Sequence, residues 1–370
     1  MTKNHQFPFQ NITIIGVGLI GGSLALALKH RFPSIQITGV DRPRILKRAL
    51  DREAIDIAER SIRHAVHSAD LVILALPVST IVKYLPVISK NISPHTIVTD
   101  TGSVKRLLVE QSQKFFPKGN FIGGHPMTGA EFSGIEAAHP LLFQNAIYIL
   151  TPMLSTKKRI LRRLGKFFSS LDARVLIMDA ATHDSVVAAV SHLPQIAAVA
   201  LMNTAGKYHP DAPTHLALAA GGFRDMTRIA SSPFDMWKEI LSANQKEISK
   251  ALCIYIKQLN KIASVVNSNP ARLSEEFKTS RTLRSRIPRS MKGYLTPLVE
   301  LAVFVEDKPG ELARLTSSLA SHNVNIKDME LLKVREGRGG TFRLSFENRM
   351  VATEAAHILQ SAGFDVGGKW

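Results

Sequence analysis

Short apolar runs, separated by loops of glycine, proline and acidic residues, set the rhythm of the first half of the chain. Ile12-Thr13-Ile14-Ile15 is β-branched and reads as a buried strand. Ile35-Gln36-Ile37-Thr38-Gly39-Val40 repeats the signal, and residues 69–78, 96–100, 121–124 and 146–150 continue it. Strands apolar on both faces belong to parallel sheets covered by helices on each side. Helical segments separate the earlier runs, so the expected fold class is α/β, with an N-terminal Rossmann-type doubly wound sheet. From about Asp179 the period changes. Residues 186–200 read as a helix in which Ser191 and Gln195 share one face and Pro194 bends the axis. Residues 234–266 read as one long amphipathic helix. An all-α segment this rich in alanine and leucine has more apolar surface than it can bury alone, and a homodimer is expected.

The last stretch changes period again. Residues 298–305 alternate as a half-buried strand, Asp307-Lys308-Pro309-Gly310-Glu311 turns into a helix over residues 312–320, and residues 324–334 and 340–346 read as a hairpin. A helix over residues 351–362 and a short strand complete β-α-β-β-α-β, a ferredoxin-like module. Four segments follow: 8–179, a nucleotide-binding sheet domain; 180–271, a helical dimerisation domain; 272–297, a basic linker; and 298–370, a small module of regulatory type. The chain's 370 residues suit two or three cores.

Charge and composition narrow the function. A net charge of +17 invites an anionic partner. The basic residues are dispersed, however, apart from seven basic against two acidic side chains between Arg272 and Lys292, and no aromatic-interleaved basic groove is present. Nucleic acid is not expected. The single cysteine, Cys253, excludes an internal disulfide framework and a cysteine-rich metal site. The N-terminus has no apolar core of signal-peptide length, and no uninterrupted apolar run reaches about eighteen residues. The expectation is a cytoplasmic protein with no membrane partner.

The chemistry lies in loops that follow strands. Gly16-Val17-Gly18-Leu19-Ile20-Gly21 joins the first strand to a helix, the context in which Gly-x-Gly-x-x-Gly has meaning. Gly16 permits the turn, Gly18 the approach of a pyrophosphate and Gly21 the packing of helix on strand, with the phosphates on the helix N-terminus. Asp41, at the end of the second strand, suits ribose hydroxyls and repels a 2′-phosphate, so NAD is expected over NADP; Arg42 beside it tempers that preference. Pro77 and Asp100 close later strands, and Gly123-Gly124-His125-Pro126 follows another. In open α/β sheets such strand ends meet in one crevice. A histidine framed by glycine and proline there is a candidate acid/base.

These blocks resemble a family. Residues 16–25, Asp100-Thr101-Gly102-Ser103-Val104-Lys105, Gly124-His125-Pro126-Met127-Thr128-Gly129 with Glu131, Ser191-His192-Leu193-Pro194 and residues 221–230 are together similar to the prephenate/arogenate dehydrogenases of tyrosine biosynthesis. Residues 298–370, with Asp307, Pro309, Gly310 and Asn325, look like an ACT domain, which implies an amino-acid effector, expected to be tyrosine. The resemblance implies NAD-dependent oxidative decarboxylation: hydride leaves the ring carbon bearing the hydroxyl, carbon dioxide departs, and aromatisation drives the step with no metal. His125 would be the base and Ser103 its orienting partner. Arg228 would hold a substrate carboxylate, with Ser191, Gln195 and Glu131 also lining the substrate site. Leu19 and Ile20 would join the glycines, Asp41, Pro77 and Asp100 around the cofactor. Many prephenate-specific members carry histidine where this chain has Gln195, which leaves prephenate and arogenate both open. A 3-hydroxyacid-type dehydrogenase also pairs such a sheet with a helical domain, but the Gly124-His125-Pro126 block and the C-terminal module argue against it.

Overall fold

The computed structural model describes residues 8–129, 133–208, 216–287, 298–335 and 339–367. Two compact units divide at Ser274 and Glu275. In the first, strands β1 (Asn11–Ile15), β2 (Gln36–Val40), β3 (Ile57–Glu59), β4 (Leu71–Leu74), β5 (Ile97–Asp100), β6 (Phe121–Pro126), β7 (Ile147–Pro152) and β8 (Arg174–Ile177) form one sheet in the order β3-β2-β1-β4-β5-β6-β7-β8. All neighbours are parallel except β6 and β7. Leu71, Val72, Ile73 and Leu74 are all fully buried, as a central strand covered on both faces requires.

Helices α1 (Leu19–Arg31), α2 (Pro43–Asp51), α3 (Ile62–His67), α4 (Val78–Asn91), α5 (Arg106–Phe115) and α6 (Lys158–Ser169) cover that sheet. Two apolar cores result, one built on α1 and α6 with Phe167 and Phe168, the other on α4 and α5 with Ile81, Leu85 and Leu108. The strand order reverses between β1 and β4, so the crevice opens beyond the carboxyl ends of β1, β4 and β5.

The helical segment belongs to the same compact unit. It comprises α7 (Ala180–Val187), a π-helical turn (Ala188–His192), α8 (Leu193–Tyr208), α9 (Gly221–Thr227), a 3₁₀ turn (Arg228–Ser231), α10 (Phe234–Ala243) and α11 (Gln245–Ser268). The single helix expected over residues 234–266 is two. Asn244 breaks it with φ −113° and ψ 24°, and its buried amide bonds the Asp184 carbonyl at 2.8 Å instead of facing solvent. From α10, Glu239 accepts from the backbone N–H and hydroxyl of Ser79 at 3.3 and 2.5 Å, capping α4 from another element. Ala180–Tyr208 is also long and apolar enough, by length and mean composition alone, to cross a bilayer. It nonetheless carries His183, Asp184, His192 and Gln195, all buried in this unit.

The basic stretch expected as a linker is partly helical. A 3₁₀ turn at Pro270–Leu273 leads into α12 (Ser274–Ser285), which opens on Glu275 and Glu276 and ends near Arg284, the charge order that suits a helix dipole.

The second unit contains a four-stranded antiparallel sheet of β9 (Val299–Val305), β10 (Asp328–Arg335), β11 (Gly339–Phe346) and β12 (Asp365–Gly367), in the order β10-β11-β9-β12, with α13 (Glu311–Ala320) and α14 (Arg349–Ser361). The expected β-α-β-β-α-β pattern is present. Gly310 starts α13 at φ 90°, a conformation that favours glycine. Asp307, Pro309 and Gly310 stand at that end of α13 and Asn325 beyond the other, roughly 15 Å apart along a ten-residue helix. The four residues expected to bind an effector therefore do not converge within one chain.

Candidate active site

β1 ends in Gly16, at φ +95°, where a Cβ would collide with the Ala75 backbone. Gly21 packs equally tightly against the Gly16 carbonyl, bringing α1 onto β1. Gly18 is different: a Cβ there would meet nothing within 4 Å. Leu19 and Ile20 open α1, whose first turn has neither a side-chain cap nor an acidic residue. Exposed amides above an open glycine form a cradle for a pyrophosphate. Asp41 accepts from Val17 N at 2.8 Å and from Arg42 N at 2.7 Å, so each carboxylate oxygen is oriented and retains a lone pair for a ribose hydroxyl. The Arg42 side chain is exposed, its Nε 3.9 Å from Asp41 Oδ1. Pro77 caps α4 at the same edge of the sheet. These residues fit a nicotinamide dinucleotide.

Asp100 does not belong to that group. It is 0% exposed, accepts from Gly124 N at 3.1 Å and Gly102 N at 2.7 Å, and pairs with the equally buried Lys105. A side chain sealed from the crevice cannot touch a cofactor, so its expected contact role is replaced by a structural one. Lys105 Nζ also donates to the Gly124 carbonyl at 2.7 Å, which ties β5 to β6 one residue before His125. Burial lowers the Lys105 pKa and the Asp100 carboxylate opposes that change.

His125 lies on β6, 8% exposed. Its Nδ1 is 2.8 Å from His183 Nε2, and His183 Nδ1 is 2.7 Å from Asp184 Oδ1. Asp184 is held in turn by Lys105 N at 2.8 Å and Arg106 N at 3.0 Å, the first amides of α5. Burial above all, then His183, Lys105 and His192, pushes the His125 pKa well below its ordinary value of 6.5. The ring is therefore neutral across the physiological range and able to accept a proton. Ser103, the expected orienting partner, is half-buried and not hydrogen-bonded to the ring; His183 holds that position because α7 packs against α5 beside the end of β6.

The substrate-side residues divide. Ser191 lies half-buried in the π-helical turn, a distortion frequent at functional sites. Its neighbour His192 is buried against Asn244, at 3.3 Å, and edge-on to Trp237. Gln195, expected at the substrate, is buried and donates from Nε2 to the Ile229 carbonyl at 2.9 Å. One of its two amide N–H groups is committed to the turn that starts at Arg228, so it braces the expected carboxylate binder. Arg228 is exposed. Glu131 lies outside the described residues. The sequence reading missed His183, Asp184, Lys105 and Asn244. The available signal was Thr182-His183-Asp184 just after an Asp179 N-cap, an acid–histidine pair in the first turn of a helix.

Two family models match in succession: the nucleotide-binding domain of prephenate dehydrogenase over residues 24–177 and its dimerization domain over residues 179–279. The chain belongs to the prephenate dehydrogenase family. A prephenate dehydrogenase of Bacillus subtilis (strain 168) is 36% identical over 341 residues, 91% of this chain and 92% of that one. That alignment is longer than the first unit, so it extends into the second. The structure of prephenate dehydrogenase from A. aeolicus in complex with hydroxyphenyl propionate and NAD+ superposes with a TM-score of 0.68 at 32% identity, covering 74% of this chain and 98% of that one. Synechocystis arogenate dehydrogenase gives 0.65 at 30% identity, over 74% and 99%. Members of the family are NAD-dependent oxidoreductases, and this chain carries both of its domains and the dinucleotide cradle.

Proposed function

We propose that the chain oxidatively decarboxylates prephenate to 4-hydroxyphenylpyruvate with NAD, a step of tyrosine biosynthesis. The observation that carries this reading is His125, buried and neutral at the carboxyl edge of the same sheet that presents the Gly16-x-Gly18-x-x-Gly21 turn. NAD, when bound, supplies the acceptor for hydride from the ring carbon bearing the hydroxyl. His125 takes the hydroxyl proton as the C–O bond gains double-bond character. The ring carboxylate leaves as carbon dioxide, its electron pair completing the aromatic ring. Arg228 anchors a carboxylate of the substrate, Ser191 donates to it, and Gln195 keeps the Arg228 turn in place. Ser103, one loop from His125, serves the substrate hydroxyl better than the ring.

Arogenate is the second reading, favoured by the likeness to an arogenate dehydrogenase and by glutamine at position 195. Residues 8–179 form the cofactor domain and residues 180–271 the helical domain in this account, with a homodimer formed through the latter. Support for the dimer comes from exposed Val190, Val199, Ile254, Leu259, Ile262 and Val266 on the helical segment. We place the enzyme in the cytoplasm, where its substrate and cofactor class occur. We assign the second unit as an ACT domain that senses tyrosine through the Asp307–Gly310 end of α13, with Asn325 entering only from another copy.

Rates with prephenate or arogenate, each with NAD or NADP, test the assignment. Turnover is expected with prephenate and NAD. A preference for arogenate gives the second reading, and no turnover with either substrate rejects both. Tyrosine is expected to raise the melting temperature of the intact chain and to lose that effect in Asp307→Ala.

A further inference from the structure

The buried chain of contacts behind His125 specifies which of its nitrogens is the base. An ionised carboxylate can only accept hydrogen bonds. Asp184 Oδ1 already receives Lys105 N–H at 2.8 Å and lies 2.7 Å from His183 Nδ1, so the proton in that second contact sits on His183 Nδ1. A neutral His183 then presents a bare Nε2. That atom is 2.8 Å from His125 Nδ1, and a hydrogen bond between them needs the proton on His125 Nδ1. The remaining nitrogen of His125, Nε2, keeps its lone pair. The opposite arrangement requires His183 as an imidazolium, a charged ring wholly removed from solvent whose one carboxylate neighbour, Asp184, is already held by two backbone amides, while Asp100 is taken up by Lys105.

Asp184 is fixed firmly enough to impose this order. Its carboxylate takes the first two amides of α5, a favourable site for a negative charge, while Asn244 Nδ2 holds its backbone carbonyl at 2.8 Å. His183 itself is 0% exposed. The ionisable groups around the pair are Asp100 and Lys105 from the β5–α5 side and His192 from the π-helical turn.

We propose that His183 and Asp184 are positioning residues that hold His125 as the Nδ1–H tautomer, making Nε2 the atom that receives the substrate's hydroxyl proton. This rests on the reading of His125 as the base. It adds two residues and a specified atom to that reading, and gives the histidine–aspartate pair inside α7 a task.

Two measurements on the whole enzyme test it. Nitrogen-15 spectra of histidine-labelled protein near neutral pH are expected to show a protonated Nδ1 and an unprotonated Nε2 on His125; a protonated Nε2 overturns the proposal. His183→Phe removes the acceptor at similar bulk and is expected to lower kcat by about 100-fold or more, leaving KM for prephenate and NAD within about twofold. His183→Gln, which offers a carbonyl oxygen near the same place, is expected to recover most of that loss. Equal loss in both variants indicates packing alone and overturns the proposal, as does full activity in the Phe variant. A melting curve and NAD binding confirm that each variant is folded. His125→Asn, measured alongside, tests the base reading separately: full turnover there removes the base, whatever the spectra show.

Discussion

At the scale of the residue, burial converts ordinary histidines into groups of defined protonation. His125 has a lowered pKa, so it stays neutral as the pH falls below 6.5. The expected kcat/KM profile is accordingly flat from neutral pH into the moderately acidic range and drops only where the buried ring finally protonates; a drop centred near 6.5 contradicts the burial argument. His192 is held at about 4, again mainly by burial. Its folded-state value lies below the unfolded one, so the unfolded chain takes up the proton first on acidification. Stability is intact above about 6.5 and declines between there and about 4. Melting temperatures across that window are expected to fall, and to fall less in His192→Gln. Of these histidines, His125 was legible from its glycine and proline frame. For His183 the local histidine–aspartate pair was the only signal, and its approach to His125, 58 positions away, is set by tertiary packing.

Elements are where local periodicity met a tertiary demand and gave way. The apolar pattern over residues 234–266 continues through Asn244, yet the helix breaks there, where the Asn244 amide bonds the Asp184 carbonyl and approaches His192. That carbonyl also accepts from Ala188 N–H within α7, so the Asn244 amide fills its second lone pair and ties the α10–α11 junction to α7. The four-residue spacing of Ser191 and Gln195 predicts one helix face. Instead a π-helical turn ends at His192 and an α-helix begins at Leu193, which sends Gln195 to the Ile229 carbonyl. If Gln195 braces the Arg228 turn, Gln195→Ala will raise KM for prephenate by roughly tenfold, about the worth of one buried hydrogen bond, with kcat little changed. A fall in kcat at constant KM will show that Gln195 acts on the reacting centre instead.

For the whole molecule, the exposed apolar side chains concentrate on the helical segment. Val190 is 64% and Ile254 55% exposed, while the sheet core is closed. A surface of that kind in the segment matching a dimerization domain supports the proposed homodimer. Ile254→Asp is therefore expected to shift the sedimentation of the enzyme from dimer to monomer without loss of helical circular dichroism. A variant that still sediments as a dimer places the interface elsewhere. The second unit repeats the lesson of the first: its β-α-β-β-α-β order was readable, but the separation of Asn325 from Gly310 follows from α13 running back between two parallel-directed strands.

What the sequence alone determined was local or repetitive. The two-residue and 3.6-residue periods placed the doubly wound sheet, the helical segment and the terminal ferredoxin-like unit, and glycines required by tight turns marked the dinucleotide cradle. Strand ends then pointed to His125. Tertiary structure decided which groups stand behind that histidine. Asp100 turned inward to Lys105, Ser103 yielded the ring to His183, and Asp184 joined the start of α5 to the end of β6. Those contacts are set by packing helices from distant parts of the chain, and each is enforced because a polar group buried there must find a partner.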